Sequence, residues 1–230
     1  MRNHPRISEL LVQTQGYSDK WPPVILTSGE LGIYYVNTEK LVQDGGAFEQ
    51  YGESSKEMIA HALKMMWIHP TFEEVINILS ENADKILCND RLPKLISGGQ
   101  RRDWLFSGPV AYKLNVPYAS LYKDGKMELL GPAGGPFTPF SFDEVKVLHI
   151  SDLLTEGSSS YRVEDGEERG WIPTLRNMGT EVSDLFCVVT RLQGGEKRLA
   201  EQGVGVHSFV AIDEDFLRQY SKNPERALNY

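Results

Sequence analysis

The segment richest in chemistry runs from Val147 to Ser160, Val-Leu-His-Ile-Ser-Asp-Leu-Leu-Thr-Glu-Gly-Ser-Ser-Ser. An apolar run of buried-strand type reaches an acidic residue, Asp152, and then a turn of small and hydroxyl-bearing residues. Gly157 lets the backbone come close to a ligand. Backbone N–H groups, with the hydroxyls of Thr155, Ser158, Ser159 and Ser160, are the donors that cradle a phosphate. Asp152 is of the type that accepts hydrogen bonds from sugar hydroxyls. An ordinary serine-rich strand-to-helix loop has the same composition, so this segment alone leaves both readings open.

A second cluster, Ser97-Gly98-Gly99-Gln100-Arg101-Arg102, follows another apolar run. Adjacent arginines suit oxyanions, which a guanidinium binds bidentately; two exposed arginines in a turn read the same way. The histidines, His4, His61, His69, His149 and His207, form no short-range pair with cysteine or carboxylate at metal-ligand spacing, and no metal held by protein side chains is expected. There is no Gly-x-Ser-x-Gly elbow, and Gly131–Gly135 lacks the Lys-Ser/Thr ending of a phosphate-binding P-loop.

The elements that must carry these residues follow from periodicity. Helices are predicted over residues 5–15, 54–66, 71–81, about 103–114, 171–178, about 195–202 and 213–222. Thr71 followed by Glu74 has a capping-box pattern, and Gly179 is placed as a C-cap. Strands are predicted at 24–26, 33–36, 118–122, 127–130, 145–150, 182–190 and 206–212. Trp21-Pro22-Pro23 reads as a break. Of two competing runs, 85–88 and 94–97, the second is preferred as the buried strand because Gly98-Gly99 follows it. Residues 131–141 read as a loop by composition, and no internal repeat is visible. Strand and helix alternate through the second half, which argues for a parallel sheet covered on both faces. Ligands of such sheets sit beyond the carboxyl ends of strands.

Composition sets the class. In 230 residues, 40% are hydrophobic and 24% charged, enough for a full core and unlike a disordered chain. The net charge of −8 leaves no broad basic face for nucleic acid, although a local patch can still hold a small anion. No apolar run approaches the roughly 20 residues of a membrane helix, and the first residues do not read as a leader, so a cytoplasmic protein is expected. Cys88 and Cys187 both sit in apolar stretches and read as two buried thiols in a reducing compartment. Trp67, Trp104 and Trp171 read as core or interface residues and Trp21 as partly exposed.

The 147–160 segment resembles the signature of the type I phosphoribosyltransferases, in which a strand ends in two acids before a loop that holds the 5′-phosphate of phosphoribosyl pyrophosphate (PRPP). Asp152 matches the second acid, and Thr155, Gly157, Ser158 and Ser159 match the phosphate loop. Ser151 stands in place of the first acid and Glu156 in place of a small or hydroxyl residue, so the motif is degenerate. Residues 162–169 resemble an insertion.

The chain is most similar to the orotate phosphoribosyltransferases within that family, with matches in order over about residues 24–212. Leu26-Thr27-Ser28-Gly29 and Tyr34-Tyr35-Val36-Asn37 resemble the family's hairpin, with Tyr35 at the residue that stacks on the base and Thr27 replacing a lysine. Arg101 falls in the pyrophosphate loop, Lys123 matches a phosphate-binding lysine, and Lys126 matches the lysine that reaches the neighbouring subunit's site from a mobile loop, residues 127–141. Arg191, in Thr190-Arg191-Leu192-Gln193-Gly194-Gly195, matches the arginine that meets the orotate carboxylate, and Thr155 is also placed near the base.

The resemblance implies an α/β fold with a parallel sheet, helices on both faces and a small N-terminal hood, divided as residues 1–52 and 53–230. It implies transfer of phosphoribose from PRPP to orotate or a similar pyrimidine, release of pyrophosphate, Mg²⁺ carried by PRPP, and a homodimer. Asp152 and Lys126 are the implied catalytic residues. A relative that binds a nucleotide or PRPP without turnover is the alternative, motivated by Thr27, Ser151 and Glu156.

Overall fold

Alternation along the central strands divides the core of the protein in two. In β3 (Lys94–Gly99), Leu95 and Ile96 enter different hydrophobic clusters; in β6 (Lys146–Leu154), Val147 parts from Leu148 and Ile150; in β9 (Glu181–Thr190), Leu185 and Cys187 part from Phe186 and Val188. Successive strand side chains point to opposite faces, so a strand buried on both sides is apolar throughout and feeds two cores. The computed structural model describes residues 3–25, 31–43, 49–50, 54–88, 92–132, 135, 138, 141–143 and 145–228.

The three strands just named join β4 (Tyr118–Leu121), β5 (Met127–Leu130) and β10 (Gly205–Ala211) in a six-stranded sheet of order β10-β9-β6-β3-β4-β5. All neighbours are parallel except β4 and β5, which pair antiparallel through a short turn; β7 (Arg162–Glu164) and β8 (Glu167–Arg169) form a separate exposed antiparallel pair. One face packs on α2 (Ser55–Ile68), α3 (Pro70–Leu87) and α4 (Asp103–Leu114) through residues such as Met58, Phe72, Leu79 and Phe106. The other packs on α5 (Trp171–Arg176) and α6 (Gly195–Ala200) through Trp171, Ile172, Leu175 and Leu199. The expected parallel sheet with helices on both faces is therefore the observed architecture.

The N-terminal elements join the first of these cores. Helix α1 (Pro5–Gln13) buries Ile7, Leu10 and Leu11 there, and Arg6 holds Glu74 of α3 through two hydrogen bonds of 2.8 and 2.9 Å. The backbone N–H of His4 donates to Phe209 O of β10 at 2.6 Å. Strands β1 (Tyr17–Ile25) and β2 (Leu31–Val36) form an antiparallel pair, followed by a 3-10 helix, Thr38–Val42. Two short helices, α7 (Glu214–Tyr220) and α8 (Pro224–Leu228), end the chain's regular structure among the described residues.

Three sequence expectations are corrected here. Trp21-Pro22-Pro23 lies inside β1 rather than ending an element; the pairing with β2 is irregular between Asp19 and Val24, as prolines without an N–H require on an edge. Thr71 does not cap its helix: α3 begins one residue earlier, at Pro70, and Glu74 is taken by Arg6. The side-chain cap falls instead on α2, where Ser54 Oγ accepts from Glu57 N. Cys88 is exposed, because residues 85–87 complete α3 and a helical period carries Cys88 off the face that buries Leu87. Cys187 is buried as expected, and burial pushes its thiol pKa up. Trp104 and Trp171 are buried, whereas Trp67 and Trp21 are exposed. Residues 26–30 and most of 133–140, which carry Thr27 and much of the expected mobile loop, lie outside the described residues.

At the end of β3 the sheet meets α5 with no room to spare: a Cβ built on Gly99 would lie 2.3 Å from Trp171 Cε2. At Gly135 a Cβ meets nothing within 4 Å. Gly99→Ala is expected to destabilise the protein by about 1–3 kcal/mol of overpacking, and Gly135→Ala to leave thermal unfolding within error of the parent. Equal melting temperatures for the two variants would contradict this account of the β3–α5 contact.

Candidate functional site

The carboxyl ends of β3, β4 and β6 open into one cavity of about 390 Å³. Its wall contains Gln100, Arg101, Arg102 and Asp103 from the β3–α4 junction, Lys123 from the β4–β5 turn, and the stretch from Ser151 to Thr155 with Gly157–Ser160 from β6 and its loop. Trp171 closes one side.

The loop after β6 is built to come close to something. Gly157 has φ +75°, and a Cβ there would lie 3.1 Å from Gly195 Cα. Thr155 O accepts from Gly195 N, Gly157 O from Ser160 N and Tyr161 N, and Ser159 O from Trp171 N. With these carbonyls used internally, the hydroxyl-bearing Thr155, Ser158 and Ser159 remain in the cavity wall. Their hydroxyls are donors for an oxyanion. Glu156 points outward: it is exposed and takes no part in the cavity wall.

Asp152 stands where β6 ends, half-buried in the wall. Its Oδ2 accepts from Thr38 Oγ1 of the 3-10 helix at 2.5 Å, so the N-terminal region touches the site directly. Beneath it lies Asp103. Asp103 Oδ1 accepts from Asp152 N at 2.8 Å and from Ser151 Oγ at 3.3 Å, and Oδ2 accepts from Gly99 N at 3.0 Å. Burial, and then the charge of Asp152, push the Asp103 carboxyl well above the usual range. His149, fully buried on the same strand, shares a hydrogen bond of 2.9 Å between Nδ1 and Ser97 Oγ, with Nε2 3.9 Å from Asp103 Oδ2. Burial pushes its pKa down to about 3, so the imidazole is neutral.

Comparison with known proteins fits this geometry. No family model matches the chain. Over 208 residues it is 26% identical to an orotate phosphoribosyltransferase of Thermoplasma volcanium, covering 90% of this chain and 98% of that protein. Over 130 residues, 51% of this chain and 67% of the relative, it is 28% identical to an adenine phosphoribosyltransferase of Pseudoalteromonas translucida. The crystal structure of orotate phosphoribosyltransferase from Aeropyrum pernix superposes with a TM-score of 0.61 at 18% identity, covering 93% of this chain and 98% of that one. UMP synthase of Leishmania donovani gives 0.59 at 18% identity over 96% of this chain, which spans only 38% of that longer protein. The chain has the type I phosphoribosyltransferase fold.

Within the type I phosphoribosyltransferase fold, Arg101, Lys123, Asp152, Thr155, Gly157, Ser158 and Ser159 share the cavity wall. Lys123 is tied to the arginine loop by its N–H, which donates to Gln100 Oε1 at 3.0 Å. Lys126 lies elsewhere: its Nζ is 3.0 Å from Glu128 Oε1 on the adjoining strand, and that carboxylate raises its pKa. Tyr35 is also apart. It faces outward, 40% exposed, with Lys20 Nζ 5.8 Å from its ring centre. The tyrosine beside Arg191 is Tyr34, whose ring centre lies 5.7 Å from the guanidinium carbon. The two tyrosines are neighbours on β2 and so point to opposite faces; Tyr34 shares the inner face with buried Val36. Sequence reasoning missed Asp103, Thr38 and Tyr34. Only Asp103 left a signal, as an acid directly after the paired arginines at a predicted helix start.

The neutral His149 has a consequence for acid stability. From its ordinary value near 6.5 down to about 3, the unfolded chain takes up a proton that the folded site refuses, so stability falls on acidification. Asp103, whose pKa is raised, acts in the opposite sense by holding its proton more tightly when folded. His149→Gln keeps a partner for Ser97 and removes the titration. Urea unfolding from about pH 6 to about pH 4 should then show a loss of stability shallower by about 1.4 kcal/mol per pH unit. Parallel curves for parent and variant would contradict it.

Proposed function

We propose that the chain transfers phosphoribose from the magnesium complex of PRPP to a ring nitrogen of a pyrimidine-like base, with orotate the first candidate. One observation carries the reading. A single cavity at the carboxyl ends of adjacent parallel strands gathers three cations, two acids and a donor-rich loop. The C1′–O bond to pyrophosphate breaks and a C1′–N bond forms, through a ribose with cationic character. Such a reaction asks for positioning and charge stabilisation more than for covalent help.

In this reading Thr155 and Gly157–Ser159 hold the 5′-phosphate, and Asp152 holds the ribose hydroxyls and faces the developing charge. Arg101 and Lys123 hold the pyrophosphate. Mg²⁺ arrives as part of the substrate. The outward turn of Glu156 keeps its charge off the phosphate. At the base end, Arg191 offers a guanidinium to a carboxylate, and Tyr34 takes the stacking role first assigned to Tyr35. The relative matched along 98% of its length is an orotate enzyme, which favours orotate over a purine. Lys126 takes part only after leaving Glu128, for instance across the interface of a homodimer, which belongs to this reading, as does the cytoplasm as its place of action. The ion pair of Lys126 with Glu128 is also what favours the second reading, a protein that binds PRPP or a nucleotide without turnover.

Thermal unfolding with magnesium and PRPP tests the donor site. Ligand at about 100 times its dissociation constant adds about 2.7 kcal/mol, a rise of roughly 5–10 °C at this length. No shift at millimolar PRPP would remove the donor site and the enzyme reading with it, and leave only a protein that binds a nucleotide without turnover. Pyrophosphate release with orotate then separates them: turnover in the parent that falls at least about tenfold in Asp152→Asn, with melting temperature retained, supports the enzyme. Binding without release of pyrophosphate supports the second reading.

A further inference from the structure

Where the family resemblance places a first acid, β6 carries Ser151, yet a second carboxyl is present in the site. It comes from the start of the helix that follows the neighbouring strand. Asp103 opens α4, is 6% exposed, and lines the same cavity as Asp152. Its two oxygens accept from Gly99 N, Asp152 N and Ser151 Oγ, so it is bonded to the end of β3 and to both residues at the end of β6. We propose that Asp103 supplies, from the β3–α4 junction, the carboxyl missing at position 151, and acts as a positioning residue that holds Asp152 and the arginine loop in register for the PRPP complex. The inference rests on the PRPP reading above.

Position 151 is a hydroxyl in this account because Asp103 is an acid. Ser151 is buried and its Oγ already donates to Asp103 Oδ1, so a carboxylate there would bring two acids to hydrogen-bond distance in a desolvated place. A buried carboxyl is tolerated only when its oxygens are satisfied. Asp103 accepts from donors on β3 and β6, and His149 Nε2, on a neutral ring, lies 3.9 Å from its Oδ2. The elevated pKa of Asp103 agrees with a carboxyl set against Asp152 in the same cavity. Its position is that of a group that aligns two loops rather than one that merely fills the core.

Transposing the carboxyl tests the proposal. Parent, Asp103→Asn, Ser151→Asp and the double variant Asp103→Asn/Ser151→Asp are compared for melting temperature, magnesium–PRPP affinity and pyrophosphate release with orotate. Each single variant is expected to weaken affinity or turnover at least about tenfold, Ser151→Asp by opposing two acids and Asp103→Asn by removing one. The double variant is expected to recover to within about tenfold of the parent, a rescue that loss of packing alone does not produce. A double variant no better than the weaker single one, or Asp103→Asn indistinguishable from the parent in a protein that binds PRPP, overturns the proposal and leaves the PRPP reading standing. A parent that does not bind magnesium–PRPP overturns that reading, and this inference with it.

Discussion

One buried carboxyl joins the ends of the two central strands. In a parallel sheet the carboxyl ends of adjacent strands diverge into separate loops, and nothing in the ladder itself sets how those loops stand to one another. Asp103 sets it here by accepting from Gly99 N at the end of β3 and from Asp152 N at the end of β6. Burying an acid is unfavourable unless its oxygens are satisfied, and the donors that satisfy it are the groups whose positions matter. Arg101, on one loop, and Thr155 with Ser159, on the other, face a common cavity as a result.

The second constraint is closeness of approach. The donor-rich loop lies against the start of α6, where Gly157 and Gly195 leave no space for a Cβ, and the arginine loop begins under the Trp171 ring, where Gly99 leaves none. Small residues at both contacts let backbone rather than side chain form the rim. The core beneath them, Val147, Leu185, Cys187, Ile172 and Leu199, is packed from both sheet and helices, which keeps the rim from shifting.

The N-terminal region touches the site through one hydrogen bond. Thr38 donates to Asp152 of the cavity wall, and Tyr34 packs beside Arg191, so residues far apart in the chain meet. The buried face of α1 and the Arg6–Glu74 pair hold that region to the first core. A net charge of −8 is compatible with an anion site because the cations are local: Arg101 and Lys123 face the cavity while Glu156 faces away. Fields at a few ångströms are set by the nearest groups, and more distant charges are screened.

The order of strands and helices, the two-sided sheet and the loops that carry Arg101, Lys123, Asp152 and Thr155 to Ser159 were legible in the sequence itself, because they rest on local periodicity and on the glycines that end strands. The choice of 94–97 over 85–88 as a strand was legible for the same reason. Tertiary structure alone decided whatever turns on one residue of register or on partners far apart in the chain. Tyr34 rather than Tyr35 meets Arg191 because strand side chains alternate about a pairing that no local pattern specifies. Cys88 is exposed because a run readable as a strand became the last turn of a helix. Lys126 turns to Glu128, and Asp103 comes to lie beside Ser151 and Asp152, only once the sheet has brought separate strands together. Composition and spacing report which groups a chain owns and which way they repeat; hydrogen bonds between distant residues exist only after the sheet has been assembled.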